Sequence, residues 1–276
     1  MDKAELYSAA HDLQKRDAGL LLSEYLRSMT WGPGERVLDL GCGPGFVTTQ
    51  LLLPRLPLDL DLLVGADVSA AMVKHASDRY CHPKLKFVQL DLGTDIPVDS
   101  ELRTPGFDKI FSFYCLHWIL DQRRAVRNIF NLLRPGGEAL IVFVAKCPIF
   151  NVYNSQYQKP EWRIYMEDVH RFISPYHQSE DPGEEFNELL REVGLDVIKC
   201  ECRKNEYTYN STDCLKESIK AVNPFLDRIP QNLHEEYLND CLLEASKLKF
   251  VEENNNAGET LTAVRYELII AYARKP

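Results

Sequence analysis

Three glycines at every second position, Gly41, Gly43 and Gly45, close the stretch "RVLDLGCGPG" (36–45) directly after an apolar run. Glycine permits positive φ and close backbone approach, and the free N–H groups of a helix start suit an anionic or polar ligand. The spacing is G-x-G-x-G, not the G-x-G-x-x-G of a dinucleotide fingerprint, whose third glycine serves helix–strand packing. Asp39, just before the glycines, would repel a pyrophosphate but accept from an ammonium group. Two more carboxylates follow. Asp67 in "VGADVS" can accept both hydroxyls of a ribose, or cap the next helix together with Ser69. Asp91 in "FVQLDL" can accept from an adenine amino group, or close a turn.

A second constellation carries neutral hydrogen-bonding groups. "YCLHWIL" (114–120) holds His117 and Trp118, and "LYSAAHDLQKRDA" (6–18) holds Tyr7, Gln14 and Arg16. Tyr7 and Gln14 are seven residues apart, so on one continuous helix they share a face. Neutral donors are what a carboxylate acceptor needs. It is already ionised near neutral pH, whereas a phenol, alcohol or amine calls for a base or a metal. Structural alternatives stand beside each reading: core packing for Trp118, a solvated helix face for Gln14, a surface salt bridge for Arg16. His117 could also be a general base.

The elements that must position these groups alternate. Apolar runs at 36–40, 61–66, 85–90, 108–114 and 137–145 read as strands buried on both faces, with helices at 45–53, 69–79 and 121–133 between them. That alternation predicts a parallel sheet. "RPGG" (134–137) ends one helix and turns the chain into the next strand. A leading helix is expected over 2–29, then a helix at 184–193, a strand at 195–204, helices near 211–221 and 233–249, and a last strand at 263–274. The two terminal strands can pair as a hairpin, and "EENNNAGE" (252–259) reads as a polar loop. The expected fold is α/β, Rossmann-like, with a seven-stranded, mostly parallel sheet whose last strand is antiparallel. One domain is expected over 1–276. It comprises an N-terminal helical cap (1–30), a core (31–146) and two inserts, 147–182 and 207–260. The first insert carries Phe150, Tyr153, Tyr157, Trp162, Tyr165, Phe172 and Tyr176, and serves either as a lid or as core packing. Ligands in open α/β sheets sit outside the carboxyl ends of the strands. Three acids at successive strand ends beside a glycine loop therefore suit one ligand, S-adenosylmethionine.

Composition excludes several classes. The chain has 276 residues with 32 Lys and Arg against 41 Asp and Glu, a net charge of −9. That disfavours nucleic acid as a partner, since phosphate contacts need clustered cations. The charged start is no secretory signal, and no stretch approaches the roughly 18 apolar residues of a membrane span. The eight Cys are scattered. Cys200 and Cys202 share a strand face, but two ligands make no zinc site. Free thiols in a reducing cytoplasm are expected, with no metal and no obligate protein partner.

"VLDLGCGPG", "GADVS", "QLDL" and "LLRPGGEALI", in that order over residues 35–145, resemble the class I S-adenosylmethionine-dependent methyltransferases. The resemblance implies that Asp39 and the Gly41–Gly45 loop, with Cys42, hold the methionine part; Arg16 is a candidate for its carboxylate beside the salt-bridge reading. Asp67 and Val68 would hold the ribose, Asp91 and Leu92 the adenine, with Met72 beside them. The backbone at Ser112–Phe113 would accept from the ammonium. "LYSAAHDLQKRDA" with "FSFYCLHWILDQ" is similar to the insect juvenile hormone acid O-methyltransferases, in which the residues matching Gln14 and Trp118 hold the substrate carboxylate. Plant carboxyl methyltransferases acting on salicylate and jasmonate use a similar Tyr, Gln and Trp arrangement. The implied reaction esterifies a sesquiterpenoid acid, juvenile hormone acid or farnesoic acid, with Gln14 and Trp118 catalytic and Tyr7 and His117 beside the substrate. An isoprenoid tail needs an apolar pocket, which suits the aromatic insert. The rivals are a methyltransferase for a small polar acid (trans-aconitate) or a fatty acid, and a binding protein that retains the cofactor fold.

Overall fold

The computed structural model describes residues 4–247, 252–256 and 259–276. Strands β1 (Arg36–Leu40), β2 (Leu62–Asp67), β3 (Leu85–Gln89), β4 (Phe107–Phe113) and β5 (Leu133–Lys146) are joined by parallel pairings. Then come β6 (Asp196–Tyr209), the short β7 (Glu252–Asn256) and β8 (Glu259–Arg274). The order across the sheet is β3-β2-β1-β4-β5-β8-β6, and β8 runs antiparallel to both its neighbours. Strand order reverses between β1 and β4, so a crevice opens at the carboxyl ends of those two strands.

These are the expected seven strands, and among the described residues an eighth, β7, lies off that path. β7 pairs with the first residues of β8, so the segment read as a polar loop at 252–259 contributes backbone to a ladder; residues 257–258 lie outside the described residues. Polar side chains do not forbid a strand, because ladder hydrogen bonds belong to the backbone.

Helices α1 (Ala4–Ala9) and α2 (Asp12–Tyr25) replace the single helix expected over 2–29, whose first two residues lie outside the described residues. The break has a local cause. The His11 ring Nδ1 bonds the carbonyl of Tyr7, the acceptor that a continuing helix would have given to the backbone N–H of His11. The helix expected at 45–53 is a wide i→i+5 turn over Val47–Leu52 followed by a tight turn to Arg55. Here Thr49 Oγ1 donates to the carbonyl of Gly45 at 2.7 Å.

α3 (Ala70–Arg79) is capped by Ser69, α4 (Gln122–Leu132) by Asp121, α7 (Pro182–Val193) by Asp181 and α8 (Thr212–Val222) by Ser211. Each cap side chain accepts an N–H of the first turn. α5 (Pro148–Gln158), α6 (Pro160–Arg163) and α9 (His234–Lys247) complete the set. For α9, the last two positions of the expected 233–249 lie outside the described residues. "RPGG" lies within β5, where the register with β4 shifts between Phe107 and Lys109.

One face of the sheet packs on α4 and α7 through Ile129, Leu132, Phe186 and Leu190. The other packs on α2 and on the inserted helices α5, α8 and α9 through Leu22, Phe150, Tyr153, Phe225 and Tyr237. Trp162, 1% exposed, donates its indole N–H to Asp240 at 2.8 Å and ties α6 to α9. Phe150, Tyr153 and Trp162 of the aromatic insert are thus part of the core, and Tyr157, Tyr165 and Phe172 pack partly buried against it. No helix among the described residues is long and apolar enough to cross a membrane.

Candidate active site

At the switch point a single cavity of ≈ 520 Å³ runs from the glycine loop into the space under the inserted helices. One end is walled by Gly41, Gly43, Asp67, Val68, Met72, Asp91, Leu92 and Phe113, and the middle by Tyr7, Gln14, His117 and Trp118. The far walls are mainly apolar, with Phe150, Val152, Phe172, Ile219 and Val264. A recess of ≈ 30 Å³ shares Tyr7, Gln14 and both glycines with the cavity and reaches Asp39 and Cys42. Of the candidate cofactor and substrate residues, Tyr7, Gln14, Asp39, Gly41, Cys42, Gly43, Asp67, Val68, Met72, Asp91, Leu92, Phe113, His117 and Trp118 meet here, while Arg16 does not, and Gly45 packs on Ala76 and Phe87 instead.

The glycines serve different ends. Gly41 has φ +74°, and a Cβ there would lie 2.4 Å from Cys115 Cβ; the space is taken by the protein itself. Gly43 has φ +52°, and a Cβ there would meet only Tyr7, at 4.0 Å. Its bare face looks into the cavity, so Gly43 is where a ligand can lie against backbone. The loop's N–H groups are not free as expected. Those of Gly41 and Cys42 both donate to the carbonyl of Ala66, Gly43 donates to Asp67 and Gly45 to the carbonyl of Cys42. The loop offers shape and oxygen atoms instead of donors, which disfavours a phosphate and suits a cation. Cys42 contributes backbone, since its thiol lies against Gly65.

Asp39 is 2% exposed and accepts from Thr48 Oγ1 at 2.6 Å. Burial pushes its carboxyl up to about 7, with repulsion from Asp67 adding to the rise and the Thr48 bond opposing it. A group raised this way adds stability below its unfolded value near 4, and that contribution is lost as pH rises through about 7. A cationic ligand beside it reverses the penalty. Asp67 accepts the N–H of Gly43 at 2.8 Å and of Ser69 at 2.9 Å. These bonds fix the carboxylate at the cavity wall. Asp91 lies two residues beyond the end of β3, not at its last residue, and its side chain accepts from the N–H of Gly93 at 2.8 Å.

Gln14 Oε1 is buried with no partner among the described residues. Trp118 sits in a single helical turn (Leu116–Trp118) held by its own N–H to the carbonyl of Cys115 at 3.0 Å. Its ring lies 4.6 Å from that of His117, and its indole N–H has no protein acceptor among the described residues. His117 is buried, and burial lowers its pKa to about 3. It is a neutral ring near neutral pH, unsuited to serve as a base. Burial, with help from Asp67 and Cys115, drives the Tyr7 phenol well above its usual value, so it stays a donor. Tyr7 and Gln14 both line the cavity although they stand on separate helices; the bend at His11, not a shared helix face, brings them there.

Arg16 is the correction. It does not line the cavity. Its guanidinium donates to Asp17, to Tyr266 Oη and to the carbonyl of Glu206, and it covers the ring of Tyr207. With these donors engaged, its guanidinium faces β6 and β8 and not the crevice. Pattern reading also missed Tyr114 and Tyr266, both on the cavity wall and both bonded to Asp17. Positions 249 residues apart leave no short-range signal. Cys200 and Cys202 do not converge on a metal: their thiols point to the carbonyl of Gly183 and to Glu267. No metal-binding group of three or more His, Cys, Asp or Glu occurs among the described residues.

Residues 38–141 match the family model described as a methyltransferase domain. The juvenile hormone acid O-methyltransferase of Bombyx mori is 41% identical over 278 residues, covering 100% of this chain and 98% of the relative. That of Drosophila melanogaster is 39% identical over 280 residues, covering 100% and 93%. Among solved structures, phosphoethanolamine N-methyltransferase 2 of Haemonchus contortus, in complex with phosphomonomethylethanolamine and S-adenosylhomocysteine, superposes with a TM-score of 0.54 at 19% identity. The match spans 94% of this chain and 53% of that one, and shows the shared fold. The open face of Gly43, the acids around it and the spent loop donors fit S-adenosylmethionine, the cofactor of this enzyme class. With two full-length relatives near two-fifths identity, the chain belongs to the juvenile hormone acid O-methyltransferase family.

Proposed function

We propose that this enzyme esterifies the carboxylate of a sesquiterpenoid acid, juvenile hormone acid or farnesoic acid, with the methyl group of S-adenosylmethionine, in the cytosol. The observation that carries the reading is the neutral pair of Gln14 and Trp118 on the wall between the cofactor end and the mainly apolar end of one cavity, their side-chain N–H groups making no bond to protein among the described residues. S-adenosylmethionine supplies an electrophilic methyl carbon on a sulfonium. The chain's part is alignment and exclusion of water. Gln14 through its amide N–H₂ and Trp118 through its indole N–H hold the acid's oxygens. Asp39 takes the ammonium, Asp67 the ribose hydroxyls and Asp91 the adenine amino group. Tyr7 closes the side nearest the glycine loop.

The inserts 147–182 and 207–260 supply the acyl pocket, where burial at roughly 25 cal/mol per Å² favours a long hydrocarbon. A small polar acid would leave that surface wet and would need Arg or Lys as a clamp. Among the described residues the one Arg or Lys lining the cavity is Arg171, and its guanidinium stands 4.0 Å from Asp168 with its side chain 64% exposed. Tyr209 and Ser218, also on the wall, bond each other at 3.0 Å. The direct test offers labelled methyl donor with terpenoid, fatty and small polar acids. Ester from the terpenoid acids is expected; ester from the polar acids alone overturns the reading.

Two pH dependences follow. At saturating acid and cofactor, kcat is flat between about pH 6 and 9, because the acceptor is already ionised and His117 does not titrate there. An inflection near 6.5 that disappears in His117→Asn would make His117 a base. Cofactor affinity, in contrast, rises roughly tenfold between about pH 5.5 and 7.5 as Asp39 ionises. Asp39→Asn binds weakly with a flat profile. Calorimetric titration across that range reads both; a wild-type profile as flat as the variant's removes Asp39 from the ammonium.

A further inference from the structure

Asp17 is a buried carboxylate that the proposed chemistry does not use. It is 2% exposed. Its Oδ2 accepts from Tyr266 Oη at 2.5 Å, Tyr114 Oη at 2.6 Å and Asn205 Nδ2 at 3.5 Å. Its Oδ1 accepts from Arg16 Nε at 3.0 Å and Nη2 at 2.8 Å. Tyr266 Oη in turn accepts from Arg16 Nη2 at 2.8 Å. Burial raises both phenols well above their usual value, so they remain protonated donors.

The members belong to α2, the exit of β4, β8 and β6, joined at one charged acceptor. Bonds to a charged group are short and about twice as strong as neutral ones. Removing the charge from a buried set leaves several donors unsatisfied at once.

What hangs from this hub is the pair that faces the acid. Gln14 precedes Asp17 by three residues on α2, one helical turn away. Trp118 follows Tyr114 by four. Tyr114 has φ +56°, and among the described residues no other non-glycine has positive φ. This left-handed residue, unfavourable for a bulky side chain, is where β4 gives way to the turn carrying Trp118. It is held from both ends: its N–H donates to the carbonyl of Val142 at 2.8 Å and its hydroxyl to Asp17.

Resting on the reading of Gln14 and Trp118 given above, we propose that Asp17 is a positioning residue: through Tyr114 it sets the separation of the α2 donor from the Trp118 turn. Tyr266 and Arg16 keep Asp17 itself in place.

The test is a kinetic cycle on full-length protein, with kcat/KM for the acid measured well below the melting temperature. Asp17→Asn keeps the shape and removes the charge; Tyr114→Phe removes one bond and serves should Asp17→Asn not fold. Each is expected to lower kcat/KM about 30-fold in the wild-type background and less than threefold when added to Gln14→Ala, because alignment already lost cannot be lost again. A merely structural role lowers the melting temperature and gives equal losses in both backgrounds, which overturns the proposal, as does no loss in the wild-type background. An inert Gln14→Ala overturns the head-group reading and this proposal with it.

Discussion

Trp118→Ala is expected to lower kcat/KM for the acid by about a thousandfold while cofactor affinity changes by less than threefold. Two losses combine. The indole N–H has no acceptor among the described residues, so it is available to a ligand oxygen. A hydrogen bond to a charged group is worth about 1.5–3 kcal/mol, or roughly 10- to 150-fold. The ring itself touches His117 and stands edge-on to Phe172, with ring centroids 6.5 Å apart. Truncation opens the middle of the cavity to water and lets the acid drift from alignment. Trp118→Phe separates the two by keeping a ring and deleting the donor, and should show the 10- to 150-fold loss alone. Reduced kcat with unchanged KM would place the bond in the transition state; raised KM alone would place it in ground-state binding. Reduced cofactor affinity with normal turnover at saturation would remove Trp118 from the acceptor site.

Gly41→Ala and Gly43→Ala, two residues apart in one loop, are expected to fail in opposite ways. A Cβ on Gly41 would sit 2.4 Å from Cys115 Cβ and 2.5 Å from its Sγ. Cys115 Cβ is fixed to its backbone and cannot rotate away, and φ +74° adds about 1–2 kcal/mol of strain. Gly41→Ala should therefore lose several kcal/mol of stability, on the order of 3, and displace the Tyr114–Trp118 segment. Adding Cys115→Gly removes both clashing atoms and should recover most of the melting temperature. Gly43→Ala meets no such wall. It should cost about 1 kcal/mol for φ +52° and melt nearly as the wild type, yet bind cofactor at least tenfold more weakly because the new methyl occupies the cavity. Thermal melts and calorimetric titration of the three variants check this. Equal affinity in Gly43→Ala and wild type would mean that no ligand lies against that backbone.

The parallel core was legible because each signal is local. β1, β2 and β4 are short apolar runs buried on both faces, and such runs admit few other readings. The cap at Ser69 satisfies a backbone N–H three residues on. The carboxylates at 39 and 67 were found because the fold class dictates where strand ends go. Failures came where a side chain competes with the backbone. His11 takes the carbonyl of Tyr7 and divides one expected helix into α1 and α2, and residues 252–256 form a ladder with β8 although their side chains are polar. Neither is visible to hydrophobic periodicity.

Arg16 and the glycine donors failed for another reason. Proximity along the chain says which groups are near the site, not which partner wins them. Arg16 lies two residues from Gln14, yet its donors go to the adjacent Asp17 and to Glu206 and Tyr266, 190 and 250 positions away. The N–H groups of Gly41 and Cys42 go to the end of β2, a partner that exists only once β1 and β2 lie side by side.

By itself the amino-acid sequence determined the α/β class and the cofactor, since residue type and spacing settle which chemistry is available, and it singled out Gln14 and Trp118 as candidate donors through the resemblance of their segments to a known family. The tertiary structure alone decided that Gly41 is bare for the protein's own packing while Gly43 faces open cavity, that burial keeps the His117 ring neutral, and that Asp17 joins four elements. Those outcomes depend on which groups are excluded from water together, and water exclusion is a property of the folded assembly of segments, not of any one of them.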